Sequence, residues 1–421
     1  MTIPTPEHLD LSVWPMFHQM STSGIRVDVE KLDDLWHEVN KLAIKAESEL
    51  ACLAGRAVNP ESGDQVAALL KERGRVGKAT KTGGRMATDE GSLALIDDPC
   101  IPLILEHRGH TKLLTTFIEP TLEKAAKNNG RVHPKWKVTR VRTGRVSCED
   151  PNMMAFPARE KIGLKVRECF IADPGKIMFS IDYSQIEPRL VAALSADKRL
   201  LSVYREGRDI YEETARGIFD LGKSHVVDKV LHRLPAKVVT LGVFYGMGPA
   251  LLYQSLIQFG CGTATKPRFD KSDCGNLIRK WFKTYPDVAK YVDYVCRCAR
   301  RDGGVVYTEG RRPRLLPALY LSGGGWPQSK MREEAERQAF NTKIQGTAQE
   351  YMKMGMLAAW KAFEFTPLLQ MHDEIVGQID EDLADLVPLM AEEMEHVDVS
   401  GSGINLPTEF TTGPNWASFK G

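Results

Sequence analysis

The sequence predicts an α+β fold in which one β-sheet is combined with helical segments that precede and interrupt it. Three stretches carry this prediction. Apolar residues 177–179 lead into an acidic motif at 180–187, residues 367–379 have the pattern of a strand, a turn and a second strand, and residues 332–361 have the spacing of a long helix. The 421 residues, 43% hydrophobic and 26% charged, suffice for about two to four domains and exclude a disordered or fibrous chain.

The first part of the chain is predicted to be mostly helical. Apolar residues recur at helical spacing over residues 30–55, and a turn-rich stretch at 59–63 precedes a second helix. Residues 101–127 are again helical, and strand character begins at Arg131-Val132-His133.

The central part, about residues 196–300, is predicted to be helical, with breaks at 259–263 and near Pro267. Residues 303–308 then have the pattern of a strand or hairpin. The long helix and the strand pair named above complete the chain.

The net charge of +1 allows a nucleic-acid partner only through locally basic faces. Lys and Arg cluster at 71–85, where a solvated face is an equal explanation, and at 131–145, where the cluster ends in a motif. No signal-peptide pattern and no uninterrupted apolar stretch of about 18 residues is present. Because the eight cysteines also fit a reducing compartment, we expect a soluble, cytoplasmic protein.

The first acidic motif places Asp182 at the end of a predicted buried strand. Ser184 and Glu187 have the spacing of a capping box, so Glu187 is explained either as a helix cap or as a ligand-binding group. Pro188 favours a later helix start, which would free Glu187.

The second acidic motif, His372-Asp373-Glu374, falls where a tight turn is predicted. Asp is common in turns for conformational reasons alone. Three ionisable side chains at one turn also create a field that cations relieve, and Mg²⁺ is commonly bound by one or two carboxylates plus substrate phosphates.

Between these motifs, Arg233, Lys237, Leu241 and Tyr245 form one stripe on a predicted helix, spanning about 18 Å at 1.5 Å per residue. That length is comparable to an extended nucleoside triphosphate, with cations for the phosphates at one end. An amphipathic helix with two solvated cations is the alternative, but it leaves the mid-helix Gly242 unexplained.

These stretches resemble motifs A, C and B of family A DNA polymerases, the group that includes bacterial DNA polymerase I and many phage replicases. Further matches follow in the family's order: Thr143-Gly144-Arg145-Val146-Ser147, Pro151-Asn152, Pro157-Ala158-Arg159, Gly310-Arg311-Arg312, Arg337, Asn341, Gln345-Gly346-Thr347-Ala348 and Gly413-Pro414-Asn415-Trp416. The family's pattern in the last helix is QGTAA. The chain is identified as the polymerase domain of such an enzyme, of bacterial or phage origin.

The resemblance implies a right-hand fold with an antiparallel palm sheet, helical fingers and a helical thumb. It implies these bounds: a palm-associated segment over 1–24, the thumb over 25–125, the palm over 126–195 and 305–421, and the fingers over 196–304. A proofreading domain would need about one more domain's worth of residues before the thumb, so no 3′–5′ exonuclease is expected, although Asp28-Val29-Glu30 matches the D-x-E signature of such nucleases.

The resemblance further implies two Mg²⁺ ions, which Mn²⁺ is able to replace, held by Asp182, Asp373 and the backbone carbonyl of Tyr183. One ion would activate the primer 3′ hydroxyl and the other would hold the triphosphate. Glu374 is expected among the catalytic groups, and Lys237 as the acid for the departing pyrophosphate.

A dNTP is expected to contact motif A, motif B and Tyr211, which precedes motif B in the fingers. The residues concerned are Gln185, Glu187, Tyr211, Arg233, Lys237, Leu241 and Tyr245. Among these, Glu187 and Tyr245 would exclude a ribose 2′ hydroxyl. Primer-template DNA is expected to contact Arg145, Asn152, Arg159, Arg337, Asn341, Gln345 and His372, which would sense duplex shape more than sequence.

Some positions depart from the family pattern. Leu241 stands where bacterial members have Phe or Tyr, which leaves discrimination against dideoxynucleotides open. Tyr211 replaces the His of a D-I-H element that contacts phosphate, and Pro188 replaces Leu. Met153-Met154-Ala155 replaces L-Q-N, removing two polar groups expected near the template.

The predicted function is primer extension with dNTPs on a DNA template, in replication or repair, by a monomer without a membrane partner. A separate exonuclease, clamp or helicase partner stays open. Two alternatives remain. A single-subunit RNA polymerase shares the Asp, Lys, Tyr-Gly and His-Asp elements, but Glu187 argues against it. A silent DNA-binding scaffold is disfavoured by the intact Asp182, Asp373, Lys237 and Arg233.

Overall fold

The computed structural model describes residues 3–80, 84–158, 161–222, 224–262, 268–321, 325–396, 399 and 402–419. The α-helices of these residues are α1 (Pro6–Ser23), α2 (Val29–Ala54), α3 (Gly63–Glu72), α4 (Glu90–Leu93), α5 (Cys100–Leu113), α6 (Glu119–Lys127), α7 (Lys161–Glu168), α8 (Ile186–Ser195), α9 (Lys198–Arg205), α10 (Ile210–Ile218), α11 (Leu234–Phe244), α12 (Pro249–Gln258), α13 (Lys271–Thr284), α14 (Pro286–Arg301), α15 (Trp326–Ala362) and α16 (Val387–Glu395). π-helical turns at Leu114–Ile118 and Lys229–Arg233 lead into α6 and α11.

The strands are β1 (Ile25–Val27), β2 (Arg131–Val132), β3 (Lys135–Lys137), β4 (Ser147–Glu149), β5 (Phe170–Ile171), β6 (Lys176–Tyr183), β7 (Val305–Tyr307), β8 (Pro313–Leu315), β9 (Thr366–Met371), β10 (Glu374–Asp380) and β11 (Thr408–Gly413). The main sheet is antiparallel with strand order β11-β6-β10-β9. Smaller sheets join β2-β1-β5, β3 with β4 and β7 with β8. The prediction of one sheet was therefore incomplete: the strand character at 131–133 and 303–308 is confirmed in β2 and β7, but these strands belong to separate small sheets.

The main elements lie where the sequence predicts them. The helix over 30–55 is α2, the strand pair over 367–379 is β9 and β10, and the long helix is α15, which begins earlier than predicted, at Trp326. The break near 259 is confirmed at the end of α12, whereas residues 263–267, including Pro267, lie outside the described residues. Helix α1 was not predicted. Among the described residues, no helix combines the length and apolar character needed to cross a bilayer.

The largest hydrophobic cluster lies around the main sheet and joins residues of α1, β6, β9, β10, α15 and α16. Strand β6 lies between β11 and β10, and its residues Met178, Phe179 and Ile181 are at most 1% exposed. Burial of successive residues explains the uninterrupted apolar run in the sequence, since an inner strand covered on both faces needs no alternation. A second cluster contains residues of each helix from α8 through α13, and a third contains residues of α2, α3, α4 and α5.

Helix α15 meets the sheet closely at Gly355. A Cβ atom at this position would overlap the hydroxyl of Tyr183, the last residue of β6. That hydroxyl donates a hydrogen bond of 2.6 Å to the Met394 carbonyl, and Tyr183 is only 1% exposed. Glycine at position 355 thus sets the distance between α15 and the strand end that carries Asp182.

We expect Gly355→Ala to destabilise the protein by about 1–3 kcal/mol, because an added methyl group in a packed core forces neighbouring atoms to shift. Urea denaturation measures the change. Gly109→Ala is the matched control: Gly109 lies in α5 with open space around its Cβ position, so alanine should stabilise by up to about 1 kcal/mol. Equal effects of both substitutions would contradict the packing argument.

Candidate active site

Three carboxylates lie in one row across the main sheet. Asp182 of β6 is paired in register with Glu374 of β10 on one side and with Glu409 of β11 on the other. Directly opposed residues of antiparallel strands share a face of the sheet. The row thus concentrates negative charge at the end of the inner strand.

The turn between β9 and β10 brings a fourth carboxylate to this strand end. The turn consists of His372 and Asp373, and His372 has a φ of 57°. The backbone N–H of Tyr183 donates a hydrogen bond of 3.1 Å to the Asp373 carbonyl, which fixes the turn beside Asp182. The predicted tight turn is confirmed. The acidic motif in this turn and the acidic motif at the end of β6 are neighbours in space.

The carboxylates at this strand end have raised pKa values, chiefly because they are buried. Burial and then the charges of Asp373, Glu374 and Glu409 raise the pKa of Asp182 to about 8. Burial also raises the pKa of Asp373, against the opposing effects of His372 and Arg145. Negative charge is therefore unfavourable at this strand end unless a cation accompanies it.

Glu374 has a structural partner in this row. Burial raises the pKa of Glu374, while a hydrogen bond donated by the Ser180 hydroxyl and the charge of Arg167 lower it. Its side chain is therefore held on the sheet by its own neighbours. This distinguishes Glu374 from Asp182 and Asp373.

The donor set suits a hard divalent cation. Asp182, Asp373 and the Tyr183 carbonyl offer oxygen atoms, the ligand type that Mg²⁺ prefers. Among the described residues no group of three or more His, Cys, Asp or Glu side chains forms a self-sufficient metal cluster. Magnesium often binds through one or two carboxylates and completes its shell with water and substrate phosphates, so the residues present fit such an ion.

A cavity of about 360 Å³ opens beside this strand end. Its wall is formed by Arg145, by residues of the β6–α8 connection and of α8, α10, α11 and α15, and by the β9–β10 turn, whereas Asp182 of β6 is not part of the lining. Its lining includes these residues predicted from the sequence: Arg145, Gln185, Glu187, Tyr211, Leu241, Tyr245, Gln345, His372 and Asp373. Residues predicted for nucleotide, for nucleic acid and for metal thus share one cavity.

Glu187 is not a helix cap. Gln185, with a φ of 59°, occupies the N-cap position of α8 and makes no side-chain cap bond. The Ser184 hydroxyl instead donates a hydrogen bond of 3.0 Å to Glu409. Glu187 is 9% exposed and forms an ion pair of 2.6 Å with Arg145. The capping-box explanation is therefore wrong.

Glu187 and Tyr245 affect each other across the cavity. Burial raises the pKa of Glu187, while the charge of Arg145 and a hydrogen bond from Tyr245 lower it. Burial and the charge of Glu187 raise the pKa of Tyr245 to about 12, so the phenol is neutral at pH 7. A carboxylate held by an arginine and a neutral tyrosine thus border one part of the cavity.

The predicted cationic stripe is split between two helical forms. Arg233 ends a π-helical turn, and α11 carries Lys237 and Leu241 before ending at Phe244, so Tyr245 is its C-cap. Leu241 and Tyr245 line the cavity. Arg233 instead forms an ion pair of 2.6 Å with Asp209 at the start of α10.

Tyr211 connects this cationic end to the cavity. Its ring lines the cavity and lies 5.3 Å from the Arg233 guanidinium carbon and 5.7 Å from the Lys237 amine. The tyrosine that departs from the D-I-H pattern therefore packs against both predicted phosphate-binding cations. Such cation–π contacts hold the two side chains near the cavity wall.

The remaining predicted nucleic-acid residues take different positions. Asn341 of α15 donates a hydrogen bond of 2.8 Å to the Tyr245 carbonyl, and Arg337 pairs with Glu334. Asn152 is exposed, and its side chain caps the 3₁₀ turn Met153–Ala155. Arg159 lies outside the described residues.

Comparison with known proteins decides the family. The sequence profile of DNA polymerase family A matches residues 29–418. The chain belongs to DNA polymerase family A. It is 35% identical over 408 residues to the thermostable DNA polymerase I of Thermus aquaticus, covering 95% of this chain and 47% of that relative. DNA polymerase I of Caldicellulosiruptor bescii is 30% identical over 424 residues, covering 98% of this chain and 47% of the relative.

The chain thus spans about half the length of these curated family A relatives. Among solved structures, it resembles the POL domain of Pol1 from M. smegmatis in complex with DNA primer-template and dNTP, with a TM-score of 0.84 and 27% identity. The match covers 97% of this chain and 70% of that one. The fold is therefore the right-hand fold of family A polymerases, as predicted.

The family A motif around Arg145 is held by a buried ion network that sequence reasoning missed. The buried ion network consists of Asp10 of α1, Lys353 of α15, and Arg312, which directly precedes β8. The Lys353 amine lies 2.7 Å from Asp10 and 2.9 Å from the Gly144 carbonyl, and Arg312 lies 2.9 Å from Asp10. Lys353 is 0% exposed. The network therefore fixes the backbone immediately before Arg145.

Gly144 is required at this turn for two reasons. Its φ of 79° is a conformation that side chains rarely adopt, and a Cβ atom would overlap Arg312. The glycine of the T-G-R motif thus lets Arg312 reach Asp10. No local sequence pattern indicates this network, because Asp10 is 302 residues from Arg312 and 343 residues from Lys353.

Proposed function

We propose that this chain extends the 3′ end of a DNA primer with dNTPs on a DNA template by two-metal phosphoryl transfer. The observation that carries the proposal is the single cavity in which Asp373 lies with Glu187 and Tyr245 and with Arg145 and Gln345. One site thereby combines a metal-binding acid, a sugar-sized steric pair and donors for a duplex. The similarity to the POL domain of Pol1 from M. smegmatis, solved in complex with DNA primer-template and dNTP, supports the same assignment.

We also propose the division of the right hand inferred from the sequence. The thumb would comprise residues 25–125, the fingers 196–304 and the palm the remainder. Support comes from the hydrophobic clusters: α2 to α5 share one cluster, and most of another lies in α9 to α13, with residues of α8 and α15 packed against it. In this scheme the cavity opens where fingers and palm meet.

Asp182, Asp373 and the Tyr183 carbonyl would hold the two Mg²⁺ ions. When bound, the ions supply Lewis-acid activation of the primer hydroxyl and stabilise charge on the triphosphate. The chain's own contribution is to hold these oxygens on a rigid strand end and its adjacent turn. Glu374 would add negative charge to this region and orient the row through Ser180.

Arg233 and Lys237 would bind the triphosphate, with Lys237 donating a proton to the departing pyrophosphate. Lys237 is exposed, so its amine is accessible to an incoming phosphate. Asp209 orients the Arg233 guanidinium, and Tyr211 supports both cations. Gln185 and Leu241 would complete the nucleotide contacts in the cavity wall.

Arg145, Gln345 and His372 would contact the primer-template near the primer end, and Arg337, Asn341, Asn152 and Arg159 would provide the other contacts with the duplex. Because minor-groove acceptors are similar in all base pairs, such contacts test duplex shape and carry little sequence information. This suits an enzyme that copies any template.

Glu187 would exclude ribonucleotides together with Tyr245. Replacing Glu187 with Ala should relax dNTP-over-rNTP selection by at least about tenfold, the scale of one steric contact. The measurement is kcat/KM for single dNTP and rNTP incorporation. Glu187→Gln, which keeps the side-chain volume, should retain most of the selection. A wild-type preference for rNTPs would favour the single-subunit RNA polymerase alternative instead.

Primer extension tests the proposal as a whole. A primed template with Mg²⁺ and four dNTPs should yield full-length product. Absence of extension alongside tight DNA binding would favour the silent scaffold.

The proposal covers polymerisation only and assigns no nuclease activity to the described residues. Asp28 of the D-x-E match caps α2, because its side chain accepts a hydrogen bond of 3.0 Å from the backbone N–H of Lys31.

A further inference from the structure

The side chain of Gln349 has no role in the site described so far. It follows Gln345 by one turn of α15, so both side chains lie on the same helix face, and both line the cavity. Gln349 is 4% exposed, and its Nε2 atom has no hydrogen-bond partner among the described residues. A buried donor therefore borders the candidate site.

This donor is costly unless a ligand uses it. Leaving a buried polar group without a partner costs about 1–3 kcal/mol, and the great majority of such groups in proteins are bonded. Alanine would avoid that cost and is the best helix former. The family pattern QGTAA has alanine at this position, whereas this chain has Gln345-Gly346-Thr347-Ala348-Gln349.

The neighbours of Gln349 indicate which ligand it meets. The cavity that Gln349 lines is also lined by Gln345, Arg145 and His372, the residues proposed to contact the primer end. The minor groove offers an acceptor on every base, N3 of purines and O2 of pyrimidines. Four residues of an α-helix advance about 6 Å, on the order of two steps of about 3.4 Å along a DNA strand. A second amide four residues away thus reaches a nucleotide about two positions along the strand.

We propose that the Gln349 amide donates a hydrogen bond to the minor-groove acceptor of a primer nucleotide near the 3′ end. This inference rests on the proposed function. It adds a second amide contact beside that of Gln345, at the position where the family pattern QGTAA ends in alanine. The contact requires the acceptor to lie where correct pairing puts it, so it favours extension of matched primer ends.

Chemical replacement of the acceptor tests the contact. Primers carry 3-deaza-2′-deoxyadenosine, which lacks the N3 acceptor, singly at each of the last three positions. Single-turnover dNTP incorporation is measured for wild type, Gln349→Ala and Gln349→Met. On the unmodified primer, both variants should lose about two- to tenfold in incorporation efficiency, the scale of one hydrogen bond.

At one primer position the analogue should reduce wild-type efficiency by the same factor and leave both variants without further loss. Equal sensitivity of wild type and variants at all three positions would overturn the inference. The methionine variant preserves volume, so a loss in Gln349→Ala that Gln349→Met fully recovers would likewise overturn it. Failure of the proposed function is distinguishable, because then wild type would not extend the unmodified primer.

Discussion

Asp182→Asn should reduce primer extension by at least about a thousandfold while leaving primer-template affinity within about threefold, because metal ions contribute several kcal/mol to phosphoryl transfer. Asn keeps the shape of the side chain and removes the charge that would hold a cation at the strand end. Single-turnover incorporation with Mg²⁺ measures the first quantity, and fluorescence anisotropy of labelled DNA measures the second.

Glu409→Gln is the matched control for this substitution. Glu409 lies on β11, directly opposite Asp182 of β6 in the same row. Its side chain is exposed and accepts a hydrogen bond from the Ser184 hydroxyl. Its neutralisation should change extension by no more than about threefold, because weakening a surface charge interaction is worth under about 1 kcal/mol. Equal losses in both variants would mean that the row acts through its total charge and not through Asp182.

For Asp182→Asn we also predict a change in stability with a definite sign. The pKa of Asp182 is raised from its usual value to about 8, so the folded state binds more protons than the unfolded state between these values. Stability must then fall as pH rises through that window. In EDTA, Asp182→Asn should therefore melt higher than wild type at pH 8, with a smaller difference at pH 5. A lower melting temperature at pH 8 would contradict the account in which burial and neighbouring charges disfavour an ionised Asp182.

Lys353→Met should lower the free energy of unfolding by about 3–5 kcal/mol, because it leaves the buried Asp10 carboxylate without one of its two cations. Burial lowers the pKa of Lys353 and the charge of Asp10 raises it, as expected of a desolvated ion pair. The amine also bonds the Gly144 carbonyl, so the loop before Arg145 should loosen as well. Guanidinium denaturation measures the stability, and primer extension by the remaining folded protein measures the loop.

Lys361→Met is the control on the same helix. Lys361 is exposed near the end of α15, and its replacement should change stability by no more than about 0.5 kcal/mol. If Lys353→Met costs no more than this control, the buried ion network does not stabilise the fold. A large stability loss with normal extension would instead separate the network from Arg145.

The elements that carry the site were predictable because each has a strong local pattern. Asp182 follows an apolar run, and Asp373 lies between two apolar strands, so both could be assigned to strand ends. The main sheet then brings them together, because β6 and β10 are neighbours in register. The stripe on α11 was predicted in outline for the same reason, since its spacing follows the helical period.

What could not be predicted depends on contacts distant in sequence. Asp10 lies in α1, a helix that was not predicted, and nothing local connects it to Lys353. The π-helical turn before α11 has no sequence signal, so the pairing of Arg233 with Asp209 was missed. For Glu187 the local capping pattern was misleading, because the positive φ of Gln185 and the pairing of Ser184 with Glu409 prevent the cap.

The most direct test of the central claim is template-directed incorporation of one nucleotide. Four primed templates that differ only in the first unpaired base are each offered the four dNTPs singly with Mg²⁺, and kcat/KM is measured for all sixteen pairs. We expect efficient incorporation only for the complementary dNTP on each template. Incorporation that ignores the template base, or no incorporation on any template, would contradict the assignment of this cavity as a polymerase active site.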